Sequence, residues 1–428
     1  TRTSSSLTAD SRPGLFIGLV AAIFVAFWVW STRFATPLMG GDDVAYLHKA
    51  VFPAKGQWFY NRYVHVYLLK VFDALRGGDV FQSARTWWSF TFATTAAGLA
   101  IGVRFLGPRI PIRTLALTLF LLISQTSFMG RAGGAFADYT NMMFIMAAVA
   151  IYLHSLATED RRQGRPGWHE LAIGALTLAA LKSKETGIIL AWLVLLFLWS
   201  QGRIDLRRFV RKLAWWAGGF GLAWLALMTI DGWVLGDFFY SAKPNFAAMG
   251  EIHANKPVRF GRSVTNWLEV VWSPDRPVTR HALRYLGLLV LAAPVLAVFR
   301  RRRIEQLLLW LMPLAYLMLL IVVHTRAPHI FSTRYLFPIL PVACLVAGAA
   351  LYDLGLDEVA WGELLRPRTL VPLLLGAAIV LVVINPTLVA DLDPGALLAA
   401  SDLTLAWVLL AIALVILLRR RARPAWLA

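Results

Sequence analysis

Gly40-Gly41-Asp42-Asp43-Val44-Ala45-Tyr46-Leu47-His48-Lys49-Ala50 follows the first long apolar run of the chain, residues 14–31. A helix that crosses a bilayer takes about 20 mostly apolar residues, with about 17 tolerated. Two adjacent carboxylates just beyond such a run therefore sit at a membrane surface, not inside the lipid. A carboxylate held there beside a hydroxyl can accept its proton, which makes one of the pair a candidate catalytic base.

Composition supports the membrane reading. The chain is 58% hydrophobic and 13% aromatic, with a mean hydropathy of +0.63, above the apolar share of an average soluble domain. Its 18 Trp and 11 Tyr suit a protein with many membrane-water boundaries. The net charge is +18, but the basic residues flank apolar runs, as membrane orientation requires, so nucleic acid is not expected as a partner. The one cysteine, Cys344, lies within an apolar run and excludes an intrachain disulfide, a zinc finger and a CxxC redox site. The polar start and the first run lack a signal peptide's short apolar region and cleavage site, so this run is expected to be a retained span.

About twelve runs reach spanning length: residues 14–31, 85–106, 113–129, 139–157, 168–181, 186–200, 213–230, 283–299, 305–323, 335–352, 369–384 and 403–418. The fifth and sixth are short and also fit a re-entrant pair. With the N-terminus inside, the inner connections carry Arg104, Arg109 and Arg113, then Arg161, Arg162 and Arg165, then Arg203, Arg207, Arg208, Arg211 and Lys212. Arg300 to Arg303, Arg366 with Arg368, and Arg419 to Arg423 continue the bias. Both termini are then cytoplasmic, because cytoplasmic loops collect Lys and Arg. The expected fold is an all-α integral-membrane protein with short interfacial helices in its outer loops. It forms a single transmembrane domain over 1–428, with no separate C-terminal soluble domain.

Two outer loops, 32–84 and 231–282, are too long to be connectors and are where function is expected. In the first, residues 63–76 have helical spacing. Arg62, His65, Asp73 and Arg76 fall near one stripe, a pattern that lies in the membrane interface. The second loop is aromatic and basic, and its His253 has no partner at metal-ligand spacing.

Charge is absent from the middle of the expected spans. Transporters and proton relays usually need ionisable groups at that depth, which counts against a transporter or flippase of lipid-linked or small anionic substrates, the alternative reading. Ionisable residues gather instead on one face. Beside Asp42 and Asp43 are Arg131-Ala-Gly-Gly-Ala-Phe-Ala-Asp138, Lys182-Ser183-Lys184-Glu185, and His324-Thr-Arg326-Ala-Pro-His-Ile-Phe-Ser-Thr-Arg334-Tyr335. Carboxylates and cations against lipid suit transfer of a sugar from a polyprenyl phosphate. The carboxylate takes the acceptor proton, and Arg or Lys stabilises the charge growing on the leaving phosphate.

These stretches resemble, in order, the motifs of the GT-C superfamily of integral-membrane glycosyltransferases, nearest the branch of the lipid A aminoarabinose transferases and protein O-mannosyltransferases. Gly41-Asp42-Asp43-Val44-Ala45-Tyr46 resembles the acidic motif with its following aromatic. Gly56-Gln-Trp-Phe-Tyr-Asn-Arg62-Tyr63 resembles the Gly-then-basic segment, and Asp138 the acidic position before the fourth span. Lys182-Ser-Lys184-Glu185-Thr-Gly187 and Arg334-Tyr335-Leu-Phe-Pro338-Ile-Leu-Pro341 match the two later motifs. The resemblance implies Asp42 as base, with Asp43 orienting a partner, and Arg62, Lys184, Arg326 and Arg334 toward the donor phosphate. Tyr46, Tyr63, Arg131, Asp138, Lys182 and Glu185 line the pocket.

Arg62 departs from the Lys often found at its place, though it keeps the charge and adds a bidentate fork. No metal is required; a divalent ion bridging phosphate and carboxylate is compatible with the resemblance. The implied partners are a polyprenyl-phosphate sugar, a glycan, lipid or protein acceptor, and membrane lipids. The implied setting is the plasma (inner) membrane with the site on its outer, periplasmic or extracellular, face. Blander roles also fit: Asp42 as the cap of a helix starting at Asp43, Arg62 as an interface anchor, Lys182 and Lys184 snorkelling at a span end, and His48, His65 and His253 as structural or solvated.

Overall fold

A computed structural model of the 428-residue chain describes residues 7–8, 13–34, 41–52, 62–106, 109–110, 112–123, 125, 136–159, 167–197, 199–200, 203–242, 258–272, 281–300, 304–326 and 333–353. Within them the protein is a helical bundle. Two minimal antiparallel pairs accompany it, β1 (Leu7–Thr8) with β2 (Arg109–Ile110) and β3 (Trp199–Ser200) with β4 (Arg203–Ile204).

The bundle comprises α1 (Pro13–Phe34), α4 (Val80–Arg104), α5 (Ile112–Ile123), α6 (Ala137–Ala157), α7 (Trp168–Ser183), α8 (Ala191–Leu196), α9 (Leu206–Leu235), α11 (His281–Phe299), α12 (Ile304–Trp310), α13 (Met312–Arg326) and α14 (Leu340–Asp353). Three shorter helices, α2 (Gly41–Val51), α3 (Tyr63–Leu75) and α10 (Phe260–Trp272), belong to the two long loops. By length and apolar composition, four helices among the described residues can cross a membrane: Gly14–Arg33, Ala137–Ala157, Leu206–Leu235 and Arg334–Asp353. The α12–α13 pair, bent by 40°, makes a fifth if read as one broken span. Several apolar helices and an all-α bundle are thus present, whereas the remaining expected spans within the described residues are shorter or less apolar. α4 is a 25-residue helix that carries Arg85 and Arg104 near its ends. Its interior hydroxyls are satisfied along the helix, Thr91 donating to the Trp88 carbonyl at 2.8 Å and Thr95 to that of Thr91 at 2.7 Å. The expected spans 369–384 and 403–418 lie outside the described residues.

The expected fifth and sixth spans are one helix and a broken one. α7 ends at Ser183, Lys184 is fully extended (φ −161°, ψ 144°), and a 3-10 helix over Glu185–Leu190 leads into α8. Gly187 makes this turn possible, since a Cβ there would strike the backbone of Ala180. The close crossing of α7 and α9 has the same origin. A Cβ on Gly174 of α7 would run into the Trp216 carbonyl of α9, and one on Gly219 of α9 into the Leu171 carbonyl of α7. Small residues let two apolar helices approach this closely, which is how helices associate where no hydrophobic force separates them from lipid.

The first outer loop forms helices with a core of their own. Tyr46, Leu47 and Ala50 of α2 pack with Val66 and Leu69 of α3 onto Ala84 and Trp87 of α4 and Ala137 and Met143 of α6. The expectation for α3 needs one correction. His65 does not share the exposure of the polar stripe to which its spacing assigns it; it is fully buried, while Val71 and Leu75 are exposed. In the second loop, α10 is tied to α13. Ser263 donates to the Ile321 carbonyl at 2.8 Å, and the Val258 N–H donates to the Thr325 carbonyl at 3.1 Å.

Charged residues form two poles. α6 has 21 residues, about 30 Å at 1.5 Å per residue. Its first turn carries Asp138 and its far end leads to Glu159, which pairs with Arg208 and, at 3.2 Å, with Lys212 of α9. Residues that the apolar spacing assigns to opposite membrane faces thus meet at opposite ends of one helix.

Candidate active site

Five elements build the pole around Asp138: α2, α3, α6, the turn after α7, and a 3-10 helix over Thr333–Ile339. α2 begins at Gly41, so Asp42 and Asp43 occupy its first turn, two residues further in than a cap on a helix starting at Asp43 would require. Their side chains lie outside the described residues. Tyr46, one turn after Asp42 and on the same face by the i, i+4 rule, is buried with its ring centroid 5.5 Å from the Arg62 guanidinium. Its edge meets the His65 ring at 4.8 Å. His65 Nδ1 in turn lies 2.6 Å from the Thr140 hydroxyl in the first turn of α6. α2 is thereby registered against α6 through one buried imidazole.

Arg62 stands at the N-cap position of α3 and pairs with Glu185 at 3.6 Å, the side chains being 18% and 46% exposed. The extended backbone at Lys184 turns its amine inward, where it pairs with Asp138; both side chains are almost wholly buried. The amine also lies 3.9 Å from the Tyr335 ring centroid. Arg334 packs against the same ring at 5.3 Å and against Phe136 at 5.6 Å. Lys184 lies in the turn between α7 and the 3-10 helix, outside the spanning helices. Burial lowers its pKa, Asp138 opposes that, and Arg62 and Arg334 lower it further, leaving it near 8, down from 10.5.

Neutral groups close the floor: Tyr316 donates to the Tyr335 carbonyl at 2.8 Å, and Asn141 to the Thr186 hydroxyl at 2.9 Å. Among the described side chains, Arg62, Lys184 and Arg334 gather at this pole with Asp138 and Glu185. Two residues past Arg334, Leu336 joins Leu286, Val290, Leu317, Ile339 and Leu340 in lining an apolar cavity of about 170 Å³ between α10, α11, α13 and α14.

The expected site residues therefore separate. Tyr46, Arg62, Asp138, Lys184, Glu185 and Arg334 come together, and Tyr63 is their neighbour at the start of α3. Lys182 turns away. Its amine donates to the Ser241 carbonyl at 2.7 Å and lies 4.9 Å from the Trp224 ring, since α7 ends at Ser183 and Lys184 beyond it is extended. Arg131 and the side chain of Arg326 lie outside the described residues. Sequence reasoning missed the roles of His65, Asp231 and Tyr335. Only Tyr335 left a signal, as the neighbour of Arg334 in a quoted motif. No group of three or more His, Cys, Asp or Glu stands ready for a metal among the described residues.

No family model and no curated protein matches the chain. Solved structures do. ArnT from Cupriavidus metallidurans bound to undecaprenyl phosphate aligns at TM-score 0.54 and 16% identity, covering 89% of this chain and 66% of that one. The apo state of the same protein aligns at TM-score 0.52 and 18% identity, over 88% and 65%. The archaeal oligosaccharyltransferase AglB from Archaeoglobus fulgidus, in complex with an inhibitory peptide and a dolichol-phosphate, aligns at TM-score 0.47 and 14% identity, over 93% and 55%. The chain spans just under two thirds of the length of the ArnT chains it matches. The expectation drawn from the motifs holds for the architecture: this chain has the fold of ArnT.

Proposed function

We propose that this protein is an inverting glycosyltransferase that moves a sugar from a polyprenyl-phosphate donor to an acceptor hydroxyl at the outer face of the plasma membrane, with both termini cytoplasmic. The observation that carries the reading is the gathering of Arg62, Lys184 and Arg334 at one end of the bundle, beside an apolar cavity. Clustered cations can hold an anion, and a phosphate joined to a long apolar chain suits both features. The ArnT structure bound to undecaprenyl phosphate supports the same class of ligand for this fold.

In this reading Asp42 accepts the proton of the acceptor hydroxyl. The freed oxygen forms a bond to the anomeric carbon from the face opposite the phosphate, and the bond from that carbon to the phosphate oxygen breaks. The electron pair leaves on the polyprenyl phosphate, whose charge Arg62 and Arg334 stabilise. Asp43 orients a neighbouring group. Asp138 holds Lys184 in place, and Lys184 adds charge from beneath. The chain tail lies in the cavity lined by Leu336 and Ile339. Arg131 and Arg326 are further pocket residues in this proposal, and a divalent ion at the acidic motif is compatible with it.

The experiment is transfer by the purified protein in liposomes carrying a polyprenyl-phosphate sugar. Asp42→Asn should abolish transfer and leave lipid binding and membrane insertion intact. Transport of substrate with no lipid-linked donor present would support a transporter instead, and cysteine accessibility placing position 42 in the cytoplasm would overturn the proposed sidedness.

A further inference from the structure

Asp231 is a fully buried carboxylate near the end of α9, away from the Asp138 cluster. One of its oxygens accepts the Tyr67 hydroxyl of α3 at 2.5 Å, and the other accepts the Ser241 N–H at 2.9 Å. The carbonyl of that same residue, Ser241, accepts the buried Lys182 amine of α7. A carboxylate and an ammonium thus hold the two polar backbone groups of Ser241, and each charge offsets the burial cost of the other. The residue before it, Tyr240, sets its ring 5.7 Å from that of Tyr63, and Tyr63 follows Arg62.

We infer that Asp231 and Lys182 are a positioning pair: they clamp Ser241, seat Tyr240 on Tyr63, and so hold Arg62 where the donor phosphate meets it. The inference rests on the proposed role of Arg62 for its catalytic consequence, but not for the clamp itself. Lys182, a pocket candidate by its motif, works here from outside the pocket. Tyr67 supplies the third anchor, from the helix that begins with Tyr63. Neither charge touches substrate.

Hydrogen exchange on the full-length protein in nanodiscs tests the clamp. In Asp231→Ala the Ser241 amide should exchange about tenfold faster or more, the protection that one hydrogen bond to a charged group confers. The first turn of α3 should loosen with it. Because this variant leaves Lys182 buried without its counter-charge, Asp231→Leu with Lys182→Met is examined alongside; it keeps similar volume, removes both charges and the acceptor of the Ser241 N–H, and should show the same local loss with normal folding. Undecaprenyl phosphate binding is measured on the same samples. A roughly tenfold higher donor KM is expected, with a lower kcat as well, since Arg62 in the proposed role holds the phosphate both bound and leaving. Ser241 exchange unchanged in both variants overturns the clamp. An unaltered donor KM overturns the link to Arg62. Wild-type protein that binds no polyprenyl phosphate defeats the transferase reading, while the exchange data still decide the clamp.

Discussion

Donor binding should weaken as pH rises through 8, because Lys184 must be charged to attract phosphate and its pKa is about 8 in the free protein. The sign follows from linkage. The bound anion favours the protonated amine, so its pKa rises in the complex, and affinity falls between the free and the bound values. With a free pKa of about 8, the charged fraction drops from about nine tenths at pH 7 to about one tenth at pH 9, so affinity falls about tenfold, or about 1.4 kcal/mol. The phosphate does not contribute, since its second ionisation near pH 6 is complete at pH 7. An unperturbed lysine would give no change below about pH 10. The assay is equilibrium binding of undecaprenyl phosphate to the protein in nanodiscs between pH 6.5 and 9.5, repeated with Lys184→Arg, whose charge persists throughout. Wild type should bend near pH 8 and the arginine variant should stay flat. A flat wild-type profile, or a bend that survives Lys184→Arg, would refute the role given to Lys184.

Three further outcomes follow from the same geometry. Asp138→Asn or Lys184→Met alone should destabilise the protein by about 3–5 kcal/mol in detergent unfolding titrations, while the double variant recovers most of the loss; additive losses would mean the two charges are not coupled. Glu185→Gln removes a half-exposed competitor for Arg62 and should tighten phosphate binding by up to about fivefold, a surface-type ion pair being worth at most about 1 kcal/mol, whereas Arg62→Met should weaken it. Gly219→Ala should lower thermal stability and expression more than Gly221→Ala, because a methyl group at 219 strikes the Leu171 carbonyl whereas nothing stands within 4 Å of one at 221; equal effects would argue against the close α7–α9 crossing.

Much of this was legible in the chain itself. Apolar run length sets which segments can lie in lipid, because backbone groups there must bond within a helix, so the all-α class and the sites of the polar clusters followed from spacing alone. The order Asp42, Arg62, Asp138, Lys184, Arg334 was visible as motifs, and of these Arg62, Asp138, Lys184 and Arg334 converge in space. Pairing was not visible. Lys184 and Lys182 are two residues apart and equally basic, yet one meets Asp138 and the other Ser241, because the helix ends between them and Lys184 is extended. Asp231, at the edge of an apolar run, gave no sign that it would bind α3, and His65, read as structural or solvated, gave no sign that Tyr46 and Thr140 would enclose it. Local sequence determines what each segment can bury. Which charge faces which is decided only when distant helices dock, since an ion pair depends on separations of a few ångströms that only packing sets.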